Sequence, residues 1–317
     1  MIKLCELAER IKQEKSIAIF CHIRPDGDTL GSALALKLAL INLGISADVI
    51  CDDAVPSSFL FLNQAQTVKN VLVGDYTALL AIDCADITRL GNFAEKFQST
   101  KNTYNIDHHV SNTRYARYNY VQDEASNCEN VYELLQELGA TINEDIANLL
   151  ALGVMTDTGN FHHKNVTPKT LFIAGKLVEN GADLNKIYYY MFSAQSKERA
   201  KLFGTVMQRI RYFEDGRFAV ATIRLVDLEA CGAKANETEG FIDFVMGIHG
   251  VEVGACIMEI SERKFKISLR SKSANVNAVA SSFGGGGHIL ASGCQIFGEY
   301  EEVIDKLRFA VSRELPE

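Results

Sequence analysis

Through the first two thirds of the chain, short apolar runs alternate with longer stretches in which apolar positions recur every three or four residues. The runs predict strands and the stretches predict crossover helices, the signature of a parallel sheet. Strands are expected at 16–21, 45–51, 78–82 and 103–106, and helices at 30–43, 87–98, 128–138, 144–152, 168–180 and 184–191. Residues 195–212 keep helical spacing and predict one connecting helix. Beyond it, 218–223, 251–260 and 265–269 read as strands, with helices near 237–247, 275–282 and 300–314. The expected fold class is α/β: an N-terminal parallel-sheet domain over 1–194, a helical linker over 195–212 and a smaller α/β domain over 213–317. A length of 317 residues agrees, being more than one ordinary core holds.

Composition narrows what the surface can meet. The chain has 32 Lys and Arg against 40 Asp and Glu, a net charge of −8. Such a surface repels a long phosphate backbone, so extended duplex nucleic acid is excluded and only a local basic pocket remains for an anion. No stretch approaches the roughly 18 consecutive apolar residues of a membrane span, and the N-terminal amphipathic helix carries charges throughout. A cytoplasmic protein with no membrane partner is expected, with a homodimer left open. The eight cysteines are scattered singly without a CxxC pair, which favours free buried thiols over a disulfide or zinc framework.

The informative polar residues stand just past the expected strands, where open α/β sheets collect their ligands. In CHIRPDGDTLGS, His22, Asp26 and Asp28 follow the first strand, with Pro25 and Gly27 shaping the turn. Asp83 follows ALLAI, the triplet Asp107, His108 and His109 follows TYNI, and Asp157 in MTDTGNF follows a helical stretch. Each alone has an ordinary reading. An Asp after a strand commonly caps the next helix, as Asp28 and Asp83 could and as Asp86 is expected to do. Their joint occurrence at strand ends that a parallel sheet sets side by side favours a metal site instead. Carboxylates with imidazoles suit Mn²⁺, the first choice, or Mg²⁺. The donors exceed what one ion needs, and two ions roughly 3.5 to 4 Å apart can clamp an in-line phosphoryl displacement and acidify a water between them. This is the equipment of a hydrolase.

The segments HIRPDGDTLGS, AIDCAD, DHHVSN and TDTGNF, in this order, resemble the four motifs of the DHH phosphoesterase superfamily. SLRS and FGGGGHILASGC resemble its DHH-associated substrate domain, so the resemblance covers nearly the whole chain. In length and domain make-up the chain is similar to the nano-RNase branch (NrnA-type oligoribonucleases), which also hydrolyses 3′-phosphoadenosine 5′-phosphate. The resemblance implies that His22 and Asp26 hold one ion, that Asp28, His108 and Asp157 hold the other, and that Asp83 bridges both. Asp107 would orient the neighbouring histidines, the usual role of a carboxylate beside a ligating imidazole. His109 would face the substrate, protonating the leaving group or holding the scissile phosphate, against the alternative of a structural hydrogen bond.

In the C-terminal domain the resemblance implies that Arg270 offers a planar fork to a terminal phosphate. Gly285, Gly286 and Gly287 would give that phosphate a backbone without obstructing side chains, with His288 beside them. Taken alone, the glycine run would be a flexible loop and Arg270 a solvated charge. Asn112 and Ser126 match polar substrate positions of the family, though either could serve a turn or cap. Val110, Asn127 with Cys128, and Ile289 depart from the family's usual residues, which leaves the metal set whole and bears on substrate preference. The expectation is a manganese-dependent phosphoesterase acting on short single-stranded RNA or a nucleotide, its two domains facing across a cleft. Hydrolysis of a cyclic or linear dinucleotide is the alternative. A RecJ-like exonuclease is less favoured, because a grip on long strands wants a basic channel. A non-catalytic nucleotide sensor ranks last, since every expected ligand is present.

Overall fold

The computed structural model of the chain describes residues 1–315. It divides into two units, Met1–Ala194 and Gln195–Glu317. The α/β class expected from the hydrophobic pattern is the one observed.

In the first unit the apolar runs become parallel strands β1 (Ser16–Phe20), β2 (Ser46–Ile50), β3 (Ala78–Ile82), β4 (Thr103–Asp107) and β5 (Tyr118–Val121). Their order is β2-β1-β3-β4-β5, so the winding reverses between β1 and β3 and opens a crevice beyond the carboxyl ends of those two strands. Ile17 and Ile19 enter the larger core, while Ala18 and Phe20 point to the opposite face with Leu90 and Phe97. Burial on both faces is why these strands lack polar alternation. The helices are α1 (Leu4–Ile11), α2 (Gly27–Asn42), α3 (Ala94–Ser99), α4 (Asn127–Leu138), α5 (Glu144–Asp157), α6 (Pro168–Glu179) and α7 (Leu184–Tyr188). Helices α2 and α5 pack closely because Gly31 carries no side chain; a Cβ there would fall 2.4 Å from the Leu149 carbonyl oxygen.

The second unit holds α8 (Lys197–Met207), β6 (Arg211–Phe213), β7 (Phe218–Ile223), α9 (Leu225–Cys231), α10 (Phe241–Gly247), β8 (Val253–Ser261), β9 (Lys264–Ser271), α11 (Val276–Ser281), β10 (Gly286–His288), β11 (Ala291–Phe297) and α12 (Tyr300–Ser312). Its mixed sheet has the order β10-β11-β9-β8-β7-β6, with β7 and β8 parallel. Val253, Ala255, Ile267 and Leu269 pack on one face with Val279 and Leu307. On the other face Ala219 and Ala221 pack with Val206, Phe241 and Val245. Lys266, Ser268 and Arg270 alternate with the buried residues of β9 and are absent from both clusters, so this part of the second face stays open.

Three sequence expectations need correction. The stretch 195–212 is helical only over Lys197–Met207. Arg211–Phe213 is instead an edge strand folded back on β7 through Glu214, Asp215 and Gly216, which all have positive φ. The helix expected at 87–98 is broken at Gly91, whose φ of 59° kinks the 3₁₀ segment Ile87–Phe93 ahead of α3. Strands β5, β10 and β11 and helix α9 are not predicted by the pattern, because β5 is four residues with a central Asn and β10 and β11 are rich in Gly, Ser and Gln. All eight cysteines are free, with Cys5 exposed and the rest buried. Among the described residues no helix is long and apolar enough to cross a membrane.

Candidate metal centre

Strand register brings the first acids and imidazoles together. Phe20 pairs with Ala81 and Ile82 pairs with Ile106, so two more residues along β1 and one more along β3 set His22, Asp83 and Asp107 beside one another. Asp83 sits at φ 53°, a left-handed turn away from the strand, with its N–H bonded to the Ile106 carbonyl. Asp26 is the N-cap of α2: its Oδ1 accepts from the N–H groups of Asp28 and Thr29, which leaves Oδ2 free. Asp28 is fully buried in the first turn of α2, and its carboxylate accepts the N–H groups of Asn127 at 2.5 Å and Cys128 at 2.9 Å, the start of α4. Asp86 caps the segment after β3, accepting from the Thr88 N–H.

Three sets of donors each offer atoms lying within 4.8 Å of one another: His22, Asp26 and Asp83; Asp28, His108 and Asp157; and Asp83, His108 and His109. His22 Nε2 lies 3.5 Å from Asp26 Oδ2 and 3.6 Å from Asp83 Oδ2. His108 Nε2 lies 3.4 Å from Asp83 Oδ1, 3.4 Å from Asp157 Oδ2 and 3.8 Å from Asp28 Oδ2. These gaps are too long for good hydrogen bonds. They are near the separation of about 3 Å that neighbouring oxygen or nitrogen ligands adopt around a small divalent ion. Asp83 Oδ1 is buried and has no hydrogen-bond partner among the described residues, an orphan that a cation would satisfy. The donor set fits a divalent metal.

The surrounding contacts fix the donors. His108 Nδ1 lies 3.0 Å from the Glu124 carbonyl, which holds its proton there and leaves Nε2 for an ion. His22 Nδ1 is 2.8 Å from the Ile23 carbonyl and 2.9 Å from Arg89 Nη2; one tautomer cannot serve both. The carbonyl contact is the one that leaves Nε2 as a lone-pair donor. Fully buried Asp107 accepts from His109 Nδ1 at 2.8 Å and Asn112 Nδ2 at 2.5 Å. His109 reaches Asp83 only through that same Nδ1, so among the three sets it is the donor already committed elsewhere.

Burial opposes charge here, and the groups compensate one another. Burial alone would lower His22, but Asp26 and Asp83 outweigh it and lift it to about 10. His108 also rises to about 10, the carboxylates of Asp83 and Asp28 overcoming burial. Burial, then Asp83, raises Asp157 to about 6, and burial with Asp83 and Asp157 holds Asp28 well above the usual carboxylate range. Asp26 and Asp107 go the other way: burial is outweighed by His22 for the first and by His109 and Asn112 for the second. Without a metal, protonated imidazoles balance the carboxylates.

Of two residues expected at the substrate, Asn112 lies beside His108 and His109 and Ser126 is enclosed. Ser126 is fully buried at the start of α4 with no partner for its Oγ, because that turn faces inward to hold Asp28. Asn112 spends its amide on Asp107, Asn105 and the Cys84 carbonyl and its Oδ1 on the Arg114 N–H, so it braces Asp107. In the second unit, Gly285 and Gly287 are required by the β10–β11 hairpin. A Cβ at Gly285 would lie 2.2 Å from the Gly293 oxygen, and Gly287 has φ 152°. Gly286 meets nothing nearer than 3.9 Å, and His288 and half-buried Arg270 lie on the same sheet. Arg89 and the Glu124 carbonyl escaped the sequence reading. Arg89 was signalled by a lone cation within an acidic motif, whereas no residue identity signals a backbone carbonyl.

Residues 16–154 match the DHH family N-terminal domain and residues 215–316 match the DHHA1 domain. The first match contains His22, Asp26, Asp28, Asp83 and His108, and Asp157 follows three residues after it. The chain is 29% identical to the bifunctional oligoribonuclease and PAP phosphatase NrnA of Thermus thermophilus, over 98% of this chain and 95% of that one. It is 28% identical to the protein of the same name from Bacillus subtilis, over 92% and 93%. An exopolyphosphatase-related protein from Bacteroides fragilis has the same fold, with a TM-score of 0.81 at 25% identity over 98% of this chain and 95% of that one. With both domains matched in sequence and in fold, the chain belongs to the DHH family of phosphoesterases and carries the DHHA1 domain after the DHH domain.

Proposed function

We propose that this phosphoesterase uses two Mn²⁺ ions to hydrolyse short oligoribonucleotides and 3′-phosphoadenosine 5′-phosphate in the cytoplasm. The observation that carries the reading is the Asp83 carboxylate, whose orphaned Oδ1 lies 3.4 Å from His108 in the Asp28, His108 and Asp157 set and whose Oδ2 lies 3.6 Å from His22 in the His22 and Asp26 pair. His22 and Asp26 would hold one ion, Asp28, His108 and Asp157 the other, and Asp83 both. Mixed carboxylate and imidazole donors favour Mn²⁺ over Mg²⁺, which prefers oxygen alone. Bound there, the pair supplies Lewis acidity toward phosphoryl oxygens and a hydrolytic nucleophile at neutral pH.

The chain's own residues do the rest. Asp107 holds His109 Nδ1 and so leaves Nε2 to deliver a proton to the departing oxygen. Arg270, His288 and the bare backbone at Gly286 take a terminal phosphate. The substrate class is supported by the names of the Thermus and Bacillus relatives and by the net charge of −8, which disfavours long strands. The test is a turnover panel with Mn²⁺: 3′-phosphoadenosine 5′-phosphate, dinucleotides, longer oligoribonucleotides and cyclic dinucleotides. Turnover of the first two, abolished by Asp83→Ala, is expected. Turnover of cyclic dinucleotides alone, or near-normal rates in Asp83→Ala, would overturn the reading.

A further inference from the structure

A pocket of about 400 Å³ lies wholly within the second unit, between the open part of the sheet and the start of α10. Its charges are sorted by element. The sheet side carries Lys266, Arg270 and the apolar Met258; the helical side carries Glu239, Asp243 and the apolar Ile242. Elsewhere in this unit, arginines close onto carboxylates, as in Arg209 with Asp227, Arg211 with Glu301 and Arg224 with Glu259. Within the pocket the two cations and two anions remain unpaired among the described residues, and the one hydrogen bond of Arg270 goes to the Leu269 carbonyl. Opposite charges sharing a ligand-sized space without closing on each other fit a ligand that is anionic at one end and a hydrogen-bond donor at the other.

A nucleoside monophosphate has that polarity. Its phosphate suits the guanidinium fork, its base has apolar faces for Met258 and Ile242, and an exocyclic amino group donates to a carboxylate, which can only accept. We propose that this pocket takes the base of the nucleotide whose phosphate meets Arg270, and that Glu239 and Asp243 select bases bearing an amino group over uracil. The proposal rests on reading the chain as a nucleotide phosphoesterase. Uracil keeps one donor on that edge, its N3–H, but sets the acceptor O4 where cytosine has its amino group, so O4 meets the carboxylates with repulsion and the edge is disfavoured.

CMP and UMP differ at that edge and share everything else, so they isolate the effect. Their binding to the full-length chain, kept metal-free with chelator, is measured by titration calorimetry. CMP is expected to bind about tenfold tighter, the discrimination a charged hydrogen-bonding site gives. The isosteric double variant Glu239→Gln with Asp243→Asn should bring the ratio within about threefold, since an amide presents both donor and acceptor. Arg270→Ala should weaken both nucleotides alike and keep the ratio. Equal binding by the unaltered protein, a ratio that survives the double variant, or binding of neither nucleotide would overturn the proposal. Oligoribonucleotide turnover with Mn²⁺ on the same samples separates the two readings. Turnover without base selection rejects the pocket alone, and selective binding without turnover supports the pocket while rejecting the hydrolase.

Discussion

Asp83 Oδ1 lies 3.4 Å from His108 Nε2, buried and without a hydrogen bond. The two residues leave the ends of neighbouring strands β3 and β4 and are held there by opposite devices. Asp83 turns out of its strand through a left-handed φ, and His108 is anchored from behind by the Glu124 carbonyl. Each is thereby fixed before any ion arrives, which is how a site binds metal without reorganising.

In the metal-free protein the Asp83 carboxylate is a counter-charge for His22 and His108, both lifted to about 10. Asp83→Asn should therefore lower the pKa values of both imidazoles, read by NMR titration in chelator. Values left near 10 would show that Asp83 is not the charge that binds the two histidines together.

On the proposed ligand assignment, metal binding takes the Nε2 lone pairs of His22 and His108 and must displace their protons. Apparent Mn²⁺ affinity should rise steadily from pH 6 to pH 9, with proton release measurable by calorimetry in buffers of different ionisation heat. The sign follows from raised folded-state values. The stabilisation these histidines give the metal-free fold is fully present below their ordinary 6.5 and is lost as pH rises toward 10. Asp157, raised from 3.8 to about 6, loses its own contribution as pH rises through 6. Metal-free melting temperature should thus decline with pH while the gain on adding Mn²⁺ grows; a pH-independent gain would contradict the assignment.

Asp107→Asn removes the carboxylate that holds His109 and raises its pKa. The His109 value should fall toward its ordinary range and kcat should drop about 10- to 100-fold, with KM and metal stoichiometry little changed. A change in KM alone would make His109 a binding group rather than a proton donor.

The first unit and its donors were legible because strand, turn and ligand lie close together in sequence: ALLAI runs into Asp83, and TYNI into Asp107, His108 and His109. What stayed hidden depends on chain reversal. Ser126 and Asn112 look like substrate contacts as residue types, and the sequence does not show that the start of α4 encloses Ser126 or that Asn112 braces Asp107. The glycine run reads as a bare backbone for a phosphate, and the pattern does not show that at Gly285 and Gly287 β11 also runs close behind.

Those glycines can be told apart. Gly287→Ala places a Cβ 2.6 Å from the Ala291 oxygen at φ 152° and should cost about 1 to 3 kcal/mol of stability in a melt. Gly286→Ala meets open space and should leave the melting temperature unchanged while weakening capture of ligands with a terminal phosphate. Equal destabilisation by both would assign the run to packing alone.

The central claim is a pair of cations sharing Asp83, and manganese electron paramagnetic resonance on the titrated full-length chain tests it most directly. Two Mn²⁺ per chain with exchange-coupled spins are predicted, the coupling vanishing in Asp83→Ala. A single bound ion, or two magnetically independent ions in the unaltered protein, would contradict it.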